Sequence, residues 1–123
     1  MSAFSDIGEV EVLRIWEGVH ARAVAGSEAT FAWIELDPNT VVPEHRHVNE
    51  QTGMLLRGTL TFTIGSETKE LRPGALWVIP ANVPHTVAAG PDGAALAELF
   101  APPRDDWAGL ERLSPAPPDG FSS

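Results

Sequence analysis

The sequence predicts an all-β fold, an antiparallel sandwich or small barrel. Short runs rich in Val, Ile, Leu, Thr and aromatics recur along the chain, and Gly, Pro, Asn and Asp punctuate them at close intervals. At least one run, "TFTIG", alternates cleanly, placing Phe62 and Ile64 on one face and Thr61 and Thr63 on the other. A chain of 123 residues suits one hydrophobic core, so a single domain is expected over residues 1–113.

Taken in order, the expected strands are "EVEVLRIW" (9–16), "HARAVAG" (20–26), "TFAWIEL" (30–36), "TGMLLRG" (52–58), "TLTFTIG" (59–65), "ETKELR" (67–72), "ALWVIP" (75–80), "PHTVAA" (84–89) and "AALAELF" (94–100). The turns between them are signalled by "DPN", "RG", "GS", "PG", "PAN" and "GPDG". Met54 and Leu56 are candidates to line the barrel interior. "RDDWAGLERL" (104–113) is the helix candidate: Trp107, Leu110 and Leu113 can share a face, and two aspartates stand at its positive N-terminal end. "SPAPPDGFSS" (114–123) reads as a loose Pro/Gly/Ser-rich tail.

Composition narrows the partners. Seventeen acids against eight bases leave a formal charge of −9, which argues against nucleic-acid and anionic-membrane surfaces. An anionic ligand would need a local cationic pocket. With no cysteine, neither disulfides nor thiolate chemistry is available. No signal-peptide pattern opens the chain and no apolar run approaches the ~20 residues that span a bilayer, so the expected address is cytoplasmic.

Two of the four histidines stand in "PEHRHVNEQTG" (43–53). On an extended segment His45 and His47 point to one side, with Arg46 turned away. Gln51, past the "VN" bend, can return a carbonyl oxygen, and His85 follows the proline-braced turn in "PANVPHTV". Three imidazoles and one oxygen donor suit a divalent first-row metal with open positions left for a ligand. Spacing alone leaves a second reading open, that of solvated polar residues beside a turn. His20 lies apart and reads as an ordinary satisfied or exposed histidine; Arg46 and Arg57 read as surface charges.

Residues 45 to 58, "HRHVNEQTGMLLRG", and 74 to 85, "GALWVIPANVPH", resemble the two cupin motifs, H-x-H-x3–4-E-x6-G and G-x5-P-x-G-x2-H. The resemblance implies a double-stranded β-helix, the cupin jelly-roll barrel, with a short C-terminal helix here. It implies metal ligands at His45, His47, Gln51 and His85. The sequence departs from the pattern at Asn39 and Asn82, which replace glycines; asparagine tolerates a left-handed backbone better than other side chains. Gln51 replaces the usual Glu, and a neutral amide leaves the ion more positive, favouring Lewis-acid over oxidative chemistry.

"AELFAPPRDDW" (97–107) is similar to the D-x-F-S-P-P-R-x-D-[YW] stretch of the KdgF family. Those cupins convert the cyclic 4,5-unsaturated uronate released by polysaccharide lyases into its linear keto form. The resemblance implies Glu98 as the proton-shuttling acid (a methylene longer than the family's Asp), Phe100 as an apolar wall, and Arg104 as a carboxylate anchor. It also implies a Ni, Zn, Fe, Mn, Co or Cu ion, a small-molecule substrate, and a homodimer paired through edge strands. Each residue has a plainer reading: Glu98 as a solvent-facing strand residue, Phe100 as core, Arg104 as a surface ion pair, Trp77 as barrel packing. Two other functions fit the same fold, a quercetinase-like metal-dependent dioxygenase and a non-catalytic small-molecule-binding cupin.

Overall fold

The computed structural model describes residues 2–121. Nine strands follow one another: β1 (Val12–Trp16), β2 (Val19–Ala25), β3 (Thr30–Leu36), β4 (Val41–His45), β5 (Glu50–Ile64), β6 (Glu67–Leu71), β7 (Leu76–Ile79), β8 (His85–Ala101) and β9 (Glu111–Leu113). All pairings are antiparallel, in the order β6-β5-β8-β3-β2-β1-β9, with β4 on β8 and β7 on β5. The all-β jelly roll expected from the sequence is the observed architecture.

Two long strands build it. Residues 52–58 and 59–65, expected as separate strands, form the single strand β5, and 84–89 with 94–100 form β8. The glycines between them bend the chain without ending its pairing. Leu55 to Leu60 carries two register shifts against β8, and Gly58 lies in the left-handed region at φ 80°. A Cβ on Gly58 would overlap the Gly93 carbonyl oxygen, so only glycine lets the two strands turn together. Before the bend β5 pairs with β7 and the C-terminal half of β8. After it, β5 pairs with β6 and the N-terminal half of β8, which also carries β4.

Alternation sorts the faces. Ala32, Ile34 and Leu36 on β3, Leu55, Leu60 and Phe62 on β5, and Leu96 and Phe100 on β8 share one buried cluster. Asn39 and Asn82 do adopt left-handed backbone, at φ 61° and 64°. Met54 points outward, 37% exposed, while its neighbour Leu55 fills the interior. Outward-facing Val24, Phe31 and Leu99 form an exposed apolar row across the adjacent strands β2, β3 and β8.

The C-terminal helix expected over 104–113 is a single 3₁₀ turn, Asp105–Gly109. Leu110 is already extended, and Glu111–Leu113 pairs with β1 as β9. The turn lacks a side-chain cap, whereas β1 offers a row of backbone groups in need of partners, so sheet pairing wins. The tail expected to hang loose is instead held against the sheet through residue 121. Arg22 Nε donates to the Ala116 carbonyl at 2.7 Å, Pro118 is buried, and Phe121 meets Trp33 edge-on at 5.2 Å. Residues 122 and 123 lie outside the described residues. No helix among the described residues is long and apolar enough to cross a membrane.

Candidate metal centre

The end of β4 and the start of β8 are adjacent, and His45 and His85 are direct register partners there. β4 stops at His45, so strand alternation is not what aligns His47. A bend carries it back: the Asn82 N–H donates to the His47 carbonyl at 2.8 Å, and buried Asn49 donates its side-chain amide to the Pro102 and Pro103 carbonyls. Gln51, the second residue of β5, then faces inward, opposite Ile79 and Phe100. The ring centroids of His45 and His85 stand 4.2 Å apart, those of His47 and His85 5.0 Å, and those of His45 and His47 5.8 Å. One ligand atom from each of the three lies within 4.8 Å of the others.

Every Nδ1 of the trio meets a backbone carbonyl: His45 on Pro43 at 2.8 Å, His47 on Asn49 at 3.0 Å, and His85 on Val83 at 2.9 Å. A neutral imidazole carries one N–H, and a donor at Nδ1 leaves each Nε2 with a bare lone pair. Burial lowers the His47 pKa, helped by the Arg104 charge, and burial pushes that of His85 down to about 4, so both are neutral near pH 7.

Two contacts then call for a cation. His85 Nε2 is buried with no hydrogen-bond partner among the described residues. His47 Nε2 faces Gln51 Oε1 at 3.0 Å, although a neutral ring already facing the Asn49 carbonyl has one proton for two acceptors. Two lone-pair atoms held 3.0 Å apart with no proton to share between them fit co-ligands of one ion. The donor set fits a divalent first-row metal, and carbonyl partners on ligating imidazoles are the usual outer support of such sites.

Beneath Gln51 lies Glu98, 4% exposed. Its Oε2 accepts hydrogen bonds from Gln51 Nε2 and, at 2.9 Å, from Trp77 Nε1; no partner among the described residues bonds its Oε1. Burial raises its pKa to about 7 against the opposing pull of the two hydrogen bonds and Arg104. The solvent-facing alternative for Glu98 is therefore excluded. Phe100 is both core and wall: 2% exposed, it packs against His47 and Trp107 and borders the cavity.

Arg104 returns to the same cavity after the two prolines. Its backbone N–H donates to Thr30 Oγ1 at 3.0 Å, and its guanidinium lies 4.9 Å from the Phe100 ring centre and 4.7 Å from that of Trp107. The fork is engaged by Asp106, through Nε–Oδ1 at 3.0 Å and a terminal nitrogen to Oδ2 at 2.9 Å. The ion-pair reading is thus correct in partner, but the Arg104 side chain is only 10% exposed.

His45, His85, Gln51, Glu98, Phe100 and Arg104 border one cavity of about 230 Å³. That is below the ~300–1,000 Å³ usual for drug-sized ligands, and it suits a small metabolite. The structure brings together every residue read from the sequence as a candidate ligand or catalytic group, and sets three more beside them, of which Trp77 was expected only as barrel packing. Trp16, at the end of β1, lies 5.5 Å from His45; Trp77 bonds Glu98; Asp106 holds Arg104. Asp106 and Trp77 stand inside the motif stretches quoted above, but Trp16 carries no sequence signal beyond ending a strand.

A family model described as "Cupin domain" matches residues 32–100. Among curated proteins, dimethylsulfoniopropionate lyase DddW of Ruegeria pomeroyi is 30% identical over 94 residues. That alignment covers 76% of this chain and 60% of the lyase, so the chain spans less than two thirds of its relative. An RmlC-like cupin from Shewanella frigidimarina superposes with a TM-score of 0.79 at 23% identity, over 87% of this chain and 96% of that one. KdgF from a Halomonas species follows at TM-score 0.77 and 22% identity, over 86% and 98%. A variant of the oxalate decarboxylase of Bacillus subtilis matches at 0.69 and 21%, over 83% and 31%.

Proposed function

Since this chain belongs to the cupin family, we propose that it is a metal-dependent enzyme acting on a small sugar acid, opening and tautomerising the ring of a 4,5-unsaturated uronate. One observation carries the reading. A single small cavity is bordered by two imidazoles of a three-histidine cluster, a carboxyl group with one uncommitted oxygen, and a guanidinium shaped for a carboxylate. The likeness to KdgF supports the same direction.

His45, His47, Gln51 and His85 would hold a divalent first-row metal, which supplies Lewis acidity against negative charge developing on a substrate oxygen. Arg104 exchanges Asp106 for the substrate carboxylate, and the flanking rings of Phe100 and Trp107 set the plane of that bidentate pair. Glu98 Oε1 takes the proton of the anomeric hydroxyl as the bond from C1 to the ring oxygen breaks, leaving an aldehyde and an enolate. The same proton is returned to C4 as the enolate becomes the ketone, so the step is a net isomerisation. The apolar wall of Phe100, Leu96 and Phe62 limits water around these groups. A homodimer remains part of the proposal, read as a solution mass of twice the 13.2 kDa chain.

The test is ultraviolet absorbance of the conjugated uronate, freshly released by a polysaccharide lyase. Metal-loaded protein is expected to accelerate loss of the chromophore, and His85→Ala to abolish that acceleration. A rate no faster than the spontaneous one sinks the sugar-acid reading.

A second reading has its own support, the 30% identity to a dimethylsulfoniopropionate lyase. Arg104 as carboxylate anchor and Glu98 as base would equally serve removal of a proton beside a carboxylate, with loss of a neutral sulfide. Release of volatile sulfide from dimethylsulfoniopropionate would select it over ring opening. Oxygen uptake with aromatic or diketone substrates would select the dioxygenase, and ligand binding without turnover the non-catalytic cupin.

A further inference from the structure

Trp77, Glu98 and Gln51 form a chain of hydrogen bonds that ends at the histidine cluster. A primary amide has two faces of opposite chemistry, an oxygen that ligates a cation and an NH₂ that does not. Nothing in the covalent structure of Gln51 decides which face meets His47. Glu98 does: its Oε2 accepts from Gln51 Nε2, which turns Oε1 toward His47 Nε2, 3.0 Å away.

The carboxylate is itself braced. Gly53 is the register partner of both Trp77 and Glu98. A Cβ on Gly53 would fall 2.6 Å from three atoms of the indole. Its absence lets the Trp77 ring lie over β5 and deliver its N–H to Glu98 Oε2 at 2.9 Å. The indole is buried against Phe62, with ring centres 5.2 Å apart, so it holds one orientation.

We propose that Glu98, braced by Trp77 across Gly53, is a positioning residue for the metal centre, fixing the Gln51 amide with its oxygen toward the ion. The proposal rests on the metal reading of the site. Outer partners of metal ligands matter by ~10–100-fold in affinity, which sets the expected size of the effect.

The experiment is a double-mutant cycle read by Ni²⁺ or Zn²⁺ titration calorimetry on the metal-free chain. Glu98→Leu is expected to weaken metal binding ~10–100-fold, because the amide is free to present its nitrogen. In a Gln51→Glu background the same change is expected to cost nothing. A carboxylate offers oxygen on either side and needs no orienting. Trp77→Phe, which keeps the ring and removes the N–H, guards against misfolding and is expected to lower affinity less than Glu98→Leu does.

Equal affinity in the parent chain and Glu98→Leu overturns the positioning role while leaving the metal site intact. So does an equal loss in both backgrounds, which marks a purely structural effect. A parent chain that binds neither ion overturns the metal reading itself, and the positioning role with it.

Discussion

The guanidinium of Arg104 and the carboxylate of Asp106 form two parallel hydrogen bonds, 3.0 and 2.9 Å long, two residues apart in the chain. The cation proposed to anchor a substrate carboxylate is thus already answered by a carboxylate of the protein, and the two must compete.

Removing the competitor should tighten binding. The Asp106 side chain is 61% exposed, so the pair contributes no more than ~1 kcal/mol, or about 5-fold in affinity. Asp106→Asn is expected to lower KM for a carboxylate substrate by up to ~5-fold with little change in kcat. An unchanged KM would mean that Arg104 does not meet the carboxylate.

Arg104→Ala should act in the opposite sense. If the guanidinium binds ground state and transition state alike, KM rises while kcat holds within about 2-fold. Initial rates over a range of substrate concentration separate the two parameters.

The same pair has a pH signature. Hydrogen bonds from Arg104 hold the Asp106 carboxyl below its usual 3.8, so its folded pKa is depressed. Its contribution is present above pH ~4 and lost as pH falls through the folded value. The urea midpoints of the parent and Asp106→Asn should differ slightly at neutral pH and converge in acid, once the folded carboxyl is protonated. A gap that persists in acid would show that the charge on Asp106 is not its source.

Metal should stabilise the fold by mass action. An ion at ~100 times its Kd adds ~2.7 kcal/mol, or a rise in Tm of ~10 °C for a chain of this size. The rise is expected to reverse with chelator and to be absent in His85→Ala, whose parent Nε2 has no other partner among the described residues. Differential scanning calorimetry with and without ion reads it.

Gly58→Ala tests the bend that lets β5 serve both halves of the barrel. With φ at 80° and the Gly93 carbonyl in the space of the new methyl, the strands must separate, at ~3 kcal/mol or more. Urea denaturation measures the loss. A cost under ~1 kcal/mol would show that the bend relaxes without the glycine.

Much of this is legible in the chain. "HRHVNEQTG" and "ANVPH" announce the four candidate donors, and alternation in "TFTIG" places Phe62 inside. Strand period explains only part of the meeting of His45 and His47, because β4 ends at His45 and a bend held by Asn49 and Asn82 returns His47. Of the helix expected over 104–113 only the 3₁₀ turn Asp105–Gly109 forms, since local apolar spacing says nothing about an open strand edge elsewhere, and β1 claims residues 111–113. The tail, polar and proline-rich, reads as loose by composition, while its anchors, Arg22 and Trp33, lie far away in sequence.

What residue types and spacing determined on their own is an antiparallel all-β class, sandwich or small barrel, and the set of candidate donors, since strand period, turn chemistry and ligand chemistry are local properties. Only the tertiary structure decided orientation and pairing: which face of the Gln51 amide meets the histidines, that Trp77 braces Glu98, and that Asp106 occupies Arg104. The first two depend on contacts between segments up to 47 residues apart, and hydrogen-bond direction at such distances is set by how the strands register against one another. The third depends on a turn whose shape the sheet imposes, because β9 pairs with β1 and fixes where the chain leaves the cavity.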